Sequence, residues 1–281
     1  MYSVVTPNRN RLDSLREVLP GWQQAPLVSE IVIVDFGSDR PIELADFRDR
    51  RKLKLVRVSN TDEWRIGLAI NLGVDQAGAE HIVKLDSDIE LRDPAWLSRL
   101  DLANAFYRGD YRSPVSNGQC AFSRAHFDRA GGYHEWLSGY GFDDSDFYIR
   151  LRRAGLEQRP IDAGVLVEKV HSLASRVAPA IATEFFRLNP PDPEARLLFT
   201  ASRNTYLAYT CAWAPDMRRP YTSRPLADGV VGVELQPIGE RQRRATAFAN
   251  ALGLIRMTGK KEHVDLLGAM VTSFLAEDGG L

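Results

Sequence analysis

The chain of 281 residues has only two cysteines, Cys120 and Cys211, and they lie far apart in the sequence. Two isolated cysteines provide neither a disulfide framework nor a cysteine-based zinc site. Free cysteines of this kind are typical of proteins in a reducing compartment. We therefore expect the protein to be cytoplasmic.

Long hydrophobic runs and an excess of charge of either sign are also missing. No stretch approaches the roughly 20 apolar residues of a membrane span, and the first residues do not have the pattern of a signal peptide. The 36 basic and 37 acidic residues give a net charge of -1, which provides no basic footprint for nucleic acid. A basic cluster, Arg241, Arg243 and Arg244, is best interpreted as a solvated helix face, although it leaves peripheral membrane contact open.

The first half of the chain alternates short apolar runs with amphipathic segments. Strand patterns are present at residues 3–6, 30–35, 52–58 and 81–85, and helical spacing at residues 11–19 and 66–77. Pro20 and Gly21 are expected to end the first helix. Alternating strands and helices predict crossover units, and therefore an α/β fold whose mainly parallel sheet is covered by helices on both faces.

The pattern changes after residue 173. A last strand is predicted at residues 161–170, and helical spacing then dominates, at residues 195–212, 240–257 and 261–275. We therefore expect two parts, an α/β domain formed by residues 1–175 and a helical C-terminal region formed by residues 176–281.

Carboxylates follow two of the predicted strands. Asp86 and Asp88 come directly after the strand at 81–85, and Asp35 ends the strand at 30–35. Ligands of parallel sheets bind beyond such strand ends, and paired carboxylates suit Mg²⁺ or Mn²⁺. Taken alone, each acid has a structural alternative, since Asp86 and Asp88 could cap a turn and Asp35 could satisfy its own loop.

A glycine-rich segment in the middle of the chain leads into three further acids. Gly139 and Gly141 would allow the backbone to approach a ligand closely, and Asp143, Asp144 and Asp146 follow at the start of a predicted helix. Acids are favoured at a helix N-terminus, which explains one or two of them. Neighbouring carboxylates also raise one another's pKa, which suits a general base.

A histidine, His171, follows the last predicted strand. A lone histidine is more often a structural residue than a ligand. Its place just beyond a strand end nevertheless makes it a candidate third metal ligand.

These features, in this order, resemble the family 2 type of glycosyltransferases with the GT-A fold. The middle of the chain resembles the signature shared by β-1,4-galactosyltransferases and bacterial chondroitin-type polymerases. The resemblance is carried by residues 4–11, 33–38, 67–73, 86–88, 131–136, 139–146 and 170–172. It implies a Rossmann-like GT-A sheet over roughly the first 175 residues and does not cover the C-terminal region.

The resemblance implies a role for each matching residue. Asp88 and His171 would bind Mn²⁺ or Mg²⁺, and Asp144 would be the catalytic base, with Asp143 as its acidic neighbour. The residues expected to bind the donor are Thr6, Pro7, Asn8, Arg9, Asp35, Gly67, Asn71, Lys84, Asp86 and Ser87. Those expected to bind the acceptor are Trp136, Tyr140, Gly141 and Asp143.

The activity implied by the resemblance is inverting transfer of a hexose or N-acetylhexosamine from a UDP-sugar to the hydroxyl group of a saccharide or glycoconjugate. Phe36, Tyr140 and Phe142 depart from the family pattern and leave the donor sugar open. A retaining GT-A transferase and a non-catalytic sugar- or nucleotide-binding module are the alternatives. A nucleotidyltransferase is disfavoured by the lack of a glycine-rich phosphate loop near the N-terminus. The C-terminal region could complete the acceptor site, form a homodimer or dock on a membrane.

Overall fold

The computed structural model describes residues 1–61, 63–110, 118–169 and 193–258. Within these ranges a nine-stranded sheet forms the centre of the protein, in the order β10-β11-β3-β2-β1-β4-β7-β6-β8, and β5 and β9 form a separate two-stranded sheet. The strands are β1 (Tyr2–Asn8), β2 (Val28–Phe36), β3 (Leu53–Ser59), β4 (His81–Lys84), β5 (Ile89–Leu91), β6 (Ala105–Arg108), β7 (Cys120–Ser123), β8 (Glu157–Pro160), β9 (Leu166–Glu168), β10 (Tyr221–Ala227) and β11 (Val230–Leu235).

The centre of the large sheet is parallel, as the alternating pattern predicts. Strand β1 pairs in parallel with β2 and β4, and β2 pairs in parallel with β3. On one side β7 pairs antiparallel with both β4 and β6. The carboxyl ends of β1 and β4 therefore lie side by side at one edge of the sheet.

Four of the described helices cover the two faces of the sheet: α1 (Leu12–Gln24), α2 (Ile66–Gln76), α3 (Arg124–Ala130) and α4 (Asp143–Arg153). Two further helices, α5 (Pro193–Thr210) and α6 (Glu240–Thr258), pack against each other. Successive side chains of a strand point to opposite faces. Val4 accordingly belongs to the apolar core that includes residues of α1, and Val5 to the core that includes residues of α2, α3 and α4. The sheet thus separates two apolar cores.

The first helix continues through Pro20 to Gln24, so the predicted stop at Pro20 and Gly21 is wrong. A proline in a helix interior costs about 3 kcal/mol. The additional helical turn places Trp22 in the core, where its side chain is fully buried. The indole N–H of Trp22 donates to the carbonyl oxygen of Ile89 at 2.9 Å. Burial of an indole side chain contributes about 5 kcal/mol, which offsets the cost of the proline.

The C-terminal region contains two predicted helices, now α5 and α6, but it is not only helical. Residues between them form the hairpin of β10 and β11, and β11 pairs in parallel with β3. This region therefore also extends the central sheet. The predicted strand at 161–170 is limited to β9. The helix predicted at 261–275 and the domain boundary after residue 175 lie outside the described residues.

Candidate active site

A cavity of about 310 Å³ lies beyond the carboxyl ends of β1 and β4. One wall is formed by the segment after β4. The other is formed by the first turn of α4 and by the glycine-rich loop, residues 131–142 between α3 and α4. Its lining residues are Pro7, Arg9, Arg11, Trp64, Ile66, Lys84, Asp86, Ser87, Asp88, Ile89, Gln119, Gly139, Tyr140, Gly141, Phe142, Asp143, Asp144, Ser145 and Glu168.

Asp86 is held by two side chains on the floor of the cavity. Gln119 accepts a hydrogen bond from the Asp86 amide at 2.8 Å and donates one to Asp86 Oδ2 at 2.6 Å. Lys84 Nζ lies 2.9 Å from Asp86 Oδ1. Ser87, the next residue, donates through Oγ to the carbonyl oxygen of Pro7 at 3.2 Å. These contacts fix the Asp86–Asp88 segment against the end of β1.

Asp88 lies in a more crowded negative environment. Burial and the charge of Asp86 raise its pKa to about 6, Glu168 adds to the rise, and the guanidinium of Arg11 acts in the opposite direction. The nearest distance between the Arg11 and Asp88 side chains is 3.6 Å. The segment is also held by β9, because the Lys169 amide donates to the Asp88 carbonyl at 2.8 Å.

The residues at this wall fit a divalent cation in their chemistry. Asp88 and Glu168 provide oxygen donors. Burial and the charge of Asp86 raise the pKa of Asp88, so a cation bound there would stabilise its charged form. Mg²⁺ and Mn²⁺ sites need only one or two carboxylates when phosphate oxygens and water complete the shell. The described residues form no group of three metal-binding side chains, and the predicted ligand His171 lies outside them.

Asp144 lies on the opposite wall, in the first turn of α4. Burial raises its pKa to about 8, Lys84 counteracts the rise, and the charges of Asp143 and Asp86 add to it. Tyr133 donates to Asp144 Oδ1 through its hydroxyl at 3.4 Å. A carboxylate with this pKa can accept a proton near neutral pH, as a general base must.

The other acids of the first turn of α4 differ from Asp144. Asp143 is 8% exposed, and burial raises its pKa. Asp146 forms an ion pair with Arg150 at 2.6 Å, one helical turn further on. Asp146 therefore stabilises the helix, whereas Asp143 and Asp144 face the cavity.

Lys84 connects the two walls. Its ammonium group donates to the Gly118 carbonyl at 2.7 Å and lies 2.9 Å from Asp86 and 3.8 Å from Asp144. Burial lowers the pKa of Lys84, but the charges of Asp144 and Asp86 outweigh it, so the pKa is raised overall. Lys84 remains a cation between two carboxylates.

Two family models match the chain. The model of glycosyl transferase family 2 matches residues 3–129, and that of the N-terminal domain of galactosyltransferase matches residues 99–174. Together they span residues 3–174, which include every acid of the cavity walls but not strands β10 and β11. The chain is a GT-A glycosyltransferase of the family 2 type. No curated protein matches it.

Solved structures share the fold of this glycosyltransferase at low sequence identity. A Drosophila β-1,4-galactosyltransferase 7 variant with manganese, UDP-Gal and xylobiose has a TM-score of 0.55 and 14% identity over 87% of this chain and 98% of its own. The mannosyltransferase PcManGT from Pyrobaculum calidifontis, with GDP-Man and Mn²⁺, has a TM-score of 0.52 and 16% identity over 99% of this chain and 81% of its own.

A third structure is glucosyl-3-phosphoglycerate synthase from Mycobacterium tuberculosis with Mn²⁺, UDP and phosphoglyceric acid. Its TM-score is 0.51, with 17% identity over 85% of this chain and 87% of its own. All three support the mainly parallel sheet predicted for the glycosyltransferase.

Several residues predicted to bind the donor do not line the cavity of the glycosyltransferase. Thr6, Asn8 and Asp35 are buried at the ends of β1 and β2. Asp35 accepts hydrogen bonds from the amides of Ser38 at 3.3 Å and Ile42 at 2.9 Å, so it organises its own loop.

The predicted residues of α2 support the glycine-rich loop from behind. Asn71 donates to the Tyr133 carbonyl at 2.9 Å and to Glu135 Oε1 at 2.8 Å, and accepts from the Tyr133 amide at 2.8 Å. A Cβ atom at Gly67 would lie 3.1 Å from the His134 carbonyl oxygen. These residues position the loop and do not face the cavity.

Trp136, predicted to bind the acceptor, is only 5% exposed and belongs to an apolar cluster with Leu207 and Trp213. It packs against the C-terminal region. Tyr140 and Gly141, by contrast, line the cavity.

Sequence reasoning missed some cavity residues as site residues: Arg11, Trp64, Gln119, Ser145 and Glu168. Arg11 lies within the first matching segment and Ser145 within the acidic one, so both could have been found. No matching sequence segment includes Gln119 or Glu168. These two residues reach the cavity only because β7 pairs with β4 and β9 pairs with β5.

Proposed function

We propose that this glycosyltransferase uses a divalent metal to transfer a hexose or N-acetylhexosamine from a UDP-sugar to an acceptor hydroxyl, with inversion at the anomeric carbon. The observation that carries the proposal is that Asp88, in the segment after β4, and Asp144, in the first turn of α4, line one cavity from two different elements. An in-line displacement needs a cation on the side of the leaving group and a base on the side of the attacking oxygen.

On the donor side, Asp88, Glu168 and His171 would hold Mn²⁺ or Mg²⁺. The metal would neutralise the negative charge that develops on the departing diphosphate. The related fold of three enzymes solved with Mn²⁺ supports this assignment, and two of those structures contain UDP or UDP-Gal. Arg9 and Arg11 also line the cavity, Arg11 within 3.6 Å of Asp88, and both carry charges suited to the diphosphate.

On the acceptor side, Asp144 accepts the proton of the acceptor hydroxyl. The hydroxyl oxygen forms a bond to the anomeric carbon while the bond from that carbon to the diphosphate breaks. Asp143 keeps the local potential negative, and Lys84 keeps a fraction of Asp144 ionised. Tyr140, 43% exposed on the same wall, offers an aromatic face to the acceptor sugar.

A panel of UDP-sugars with Mn²⁺ and a library of saccharide acceptors tests the proposal. The Asp144→Asn variant should lose about 100- to 10,000-fold in kcat, the range for a general base, while binding UDP and Mn²⁺ normally. The Asp88→Ala variant should lose stimulation by Mn²⁺. Asp128→Asn is the matched control, because Asp128 is an exposed acid on α3 and the variant should keep full activity.

Full activity of Asp88→Ala in the presence of EDTA would disprove the role of the metal. The anomeric configuration of the product, read from the coupling constant of the anomeric proton, tests inversion. Retention of configuration would exclude Asp144 as the base and favour a retaining transferase.

A further inference from the structure

The cavity wall beside Asp144 continues outward as an aromatic surface. Phe142 lines the cavity next to Tyr140 and has a φ angle of 71° at the N-cap of α4. A bulky residue in this left-handed region costs on the order of 1–3 kcal/mol and is typically found at ligand sites. The backbone thus holds an aromatic ring at the cavity mouth in a conformation that glycine would adopt more easily.

Tyr209 extends this surface beyond the cavity. It lies in the last turn of α5, it is 70% exposed, and its ring centroid lies 5.7 Å from that of Phe142. Single exposed apolar residues are common on protein surfaces. Here, however, the exposed ring is continuous with the wall that carries the proposed base.

The position of Tyr209 relative to the cavity is fixed by buried polar contacts between α5 and the glycine-rich loop. Asn204 donates to the carbonyl oxygens of Gly141 at 2.8 Å and Ser138 at 3.1 Å. Arg203 donates to the carbonyl oxygen of Ser138, and it also donates to the Ser138 hydroxyl oxygen at 2.7 Å. A site on a helix anchored in this way holds its side chains more precisely than a free loop does.

The surface has the chemistry of a sugar-binding platform. Tyr140 and Tyr209 each combine a flat apolar ring with a hydroxyl group. Such a side chain suits a ligand that has both apolar and hydrated parts. The adjacent cavity lining is rich in charged groups, including Arg9, Asp144 and Glu168. A saccharide presents C–H faces and hydroxyl groups together, whereas a lipid chain would require a continuous apolar groove.

We infer that Tyr209 and Phe142 form an outer acceptor subsite that binds a second sugar ring, so that the acceptor is an oligosaccharide or glycan chain of at least two rings. This inference rests on the proposed function, because the inner ring must present its hydroxyl to Asp144.

An acceptor library tests the subsite. Wild type, Tyr209→Ala and Tyr209→Phe are compared with glycans of one, two and three rings, with the most active UDP-sugar and Mn²⁺ as donor. Tyr209→Ala should lower kcat/KM for acceptors of two or more rings about tenfold, as expected for removal of an aromatic anchor, and leave single-ring acceptors unchanged. Tyr209→Phe should retain most activity. Leu226→Ala, a 45% exposed leucine on β10, is the control and should have no effect.

Hydrolysis of the UDP-sugar without acceptor separates the two proposals. If hydrolysis is absent in wild type and no glycan is glycosylated, the proposed function fails. If hydrolysis is normal, equal kcat/KM of wild type and Tyr209→Ala on every active acceptor overturns the subsite. A wild-type enzyme that glycosylates only single-ring acceptors overturns it as well.

Discussion

Lys84 has no exposed surface and yet carries a charge, so its neighbours decide its role. A buried cation is tolerated when carboxylates and further hydrogen bonds surround it. Asp86, Asp144 and the Gly118 carbonyl meet this requirement. A Cβ atom at Gly118, whose φ angle is 90°, would lie 2.9 Å from Asp144 Oδ2, so the glycine also allows the carboxylate to lie close to the lysine. Lys84 thereby sets the charge of the proposed base.

The pH dependence of kcat/KM should therefore depend on Lys84. In wild type the rate should rise with pH through about pH 8, since the base acts when deprotonated and its pKa is about 8. Lys84→Gln removes the cation that lowers this pKa. The rise should move to higher pH by about one unit or more, and kcat/KM at pH 7 should fall about tenfold.

Lys54→Gln is the matched control, because Lys54 is on β3 of the same sheet and donates to the Gln76 carbonyl. Its pH profile should match wild type. An unchanged profile in Lys84→Gln together with weaker UDP binding would instead make Lys84 a direct ligand of the donor.

At the scale of elements, α5 and the glycine-rich loop form one unit. Ser138 and Gly141 are fixed from α5 by Arg203 and Asn204, and the carbonyl of Trp136 accepts a hydrogen bond from Arg65 at 2.9 Å on the other side. The loop leads directly into the first turn of α4. The C-terminal region thus determines where Tyr140 and Asp144 lie, although it is far from them in sequence.

The Asn204→Ala variant should show this dependence. It leaves the Gly141 carbonyl and the Ser138 amide without their partner, which should lower the free energy of unfolding by about 1–3 kcal/mol. A shifted loop should also lower kcat by about tenfold or more, since small displacements of a catalytic group are costly. Urea denaturation and initial rates measure the two effects.

Asn104→Ala serves as the control for this variant, because Asn104 is exposed, and both measurements should match wild type. A less stable Asn204→Ala protein with unchanged kcat would contradict the positioning role of α5.

For the whole molecule, the histidine and glutamate of the glycine-rich loop join the α/β part to the C-terminal region. The His134 ring stacks on Trp213 at 4.8 Å, its Nδ1 accepts from the Trp136 amide, and its Nε2–H donates to the Cys211 carbonyl. Glu135 is 1% exposed and accepts hydrogen bonds from the Arg219 amide and the Arg218 side chain. Among the described residues these contacts join the two regions, and apolar cluster residues such as Leu207 and Ala249 strengthen the junction.

Stability should respond to pH through His134. Burial lowers its pKa from 6.5 to about 4, so between these values the unfolded chain binds a proton that the folded protein does not. The contribution of His134 is therefore fully present above pH 6.5 and is lost as pH falls toward 4. The loss between pH 7 and pH 5 should be about 2 kcal/mol.

Asp144 and Asp88 have raised pKa values, so their contribution to the free energy of unfolding increases as pH falls, opposite to that of His134. The contribution of His134 must therefore be measured as the difference between wild type and a variant. Urea denaturation of wild type and His134→Asn at pH 7 and pH 5 isolates the term, since the variant should lose about 2 kcal/mol less over this interval. Parallel pH dependences of the two proteins would contradict it.

Much of the fold could be predicted from local patterns. The spacing at residues 66–77 corresponds to α2, and the β-branched run before Asp35 corresponds to β2. The predicted end of α1 at Pro20 was wrong, because the free-energy cost of a proline inside the helix is smaller than the gain from burying Trp22 against residues far away in the sequence. The hairpin of β10 and β11 was also missed: β10 is largely exposed, so its sequence has no buried-strand pattern, and only pairing of β11 with β3 establishes it.

The sequence by itself determined the family of this glycosyltransferase and supplied the acids of its proposed site. Acids after β4 and at the start of α4 are local features, and their order along the chain carries the family resemblance. Only the tertiary structure decided which residues share the cavity, how Lys84 lies between Asp86 and Asp144, and that Asp35, Asn71 and Trp136 support the fold around it. The physical reason is that pKa values and contacts depend on distances between residues far apart in sequence, and packing alone sets those distances.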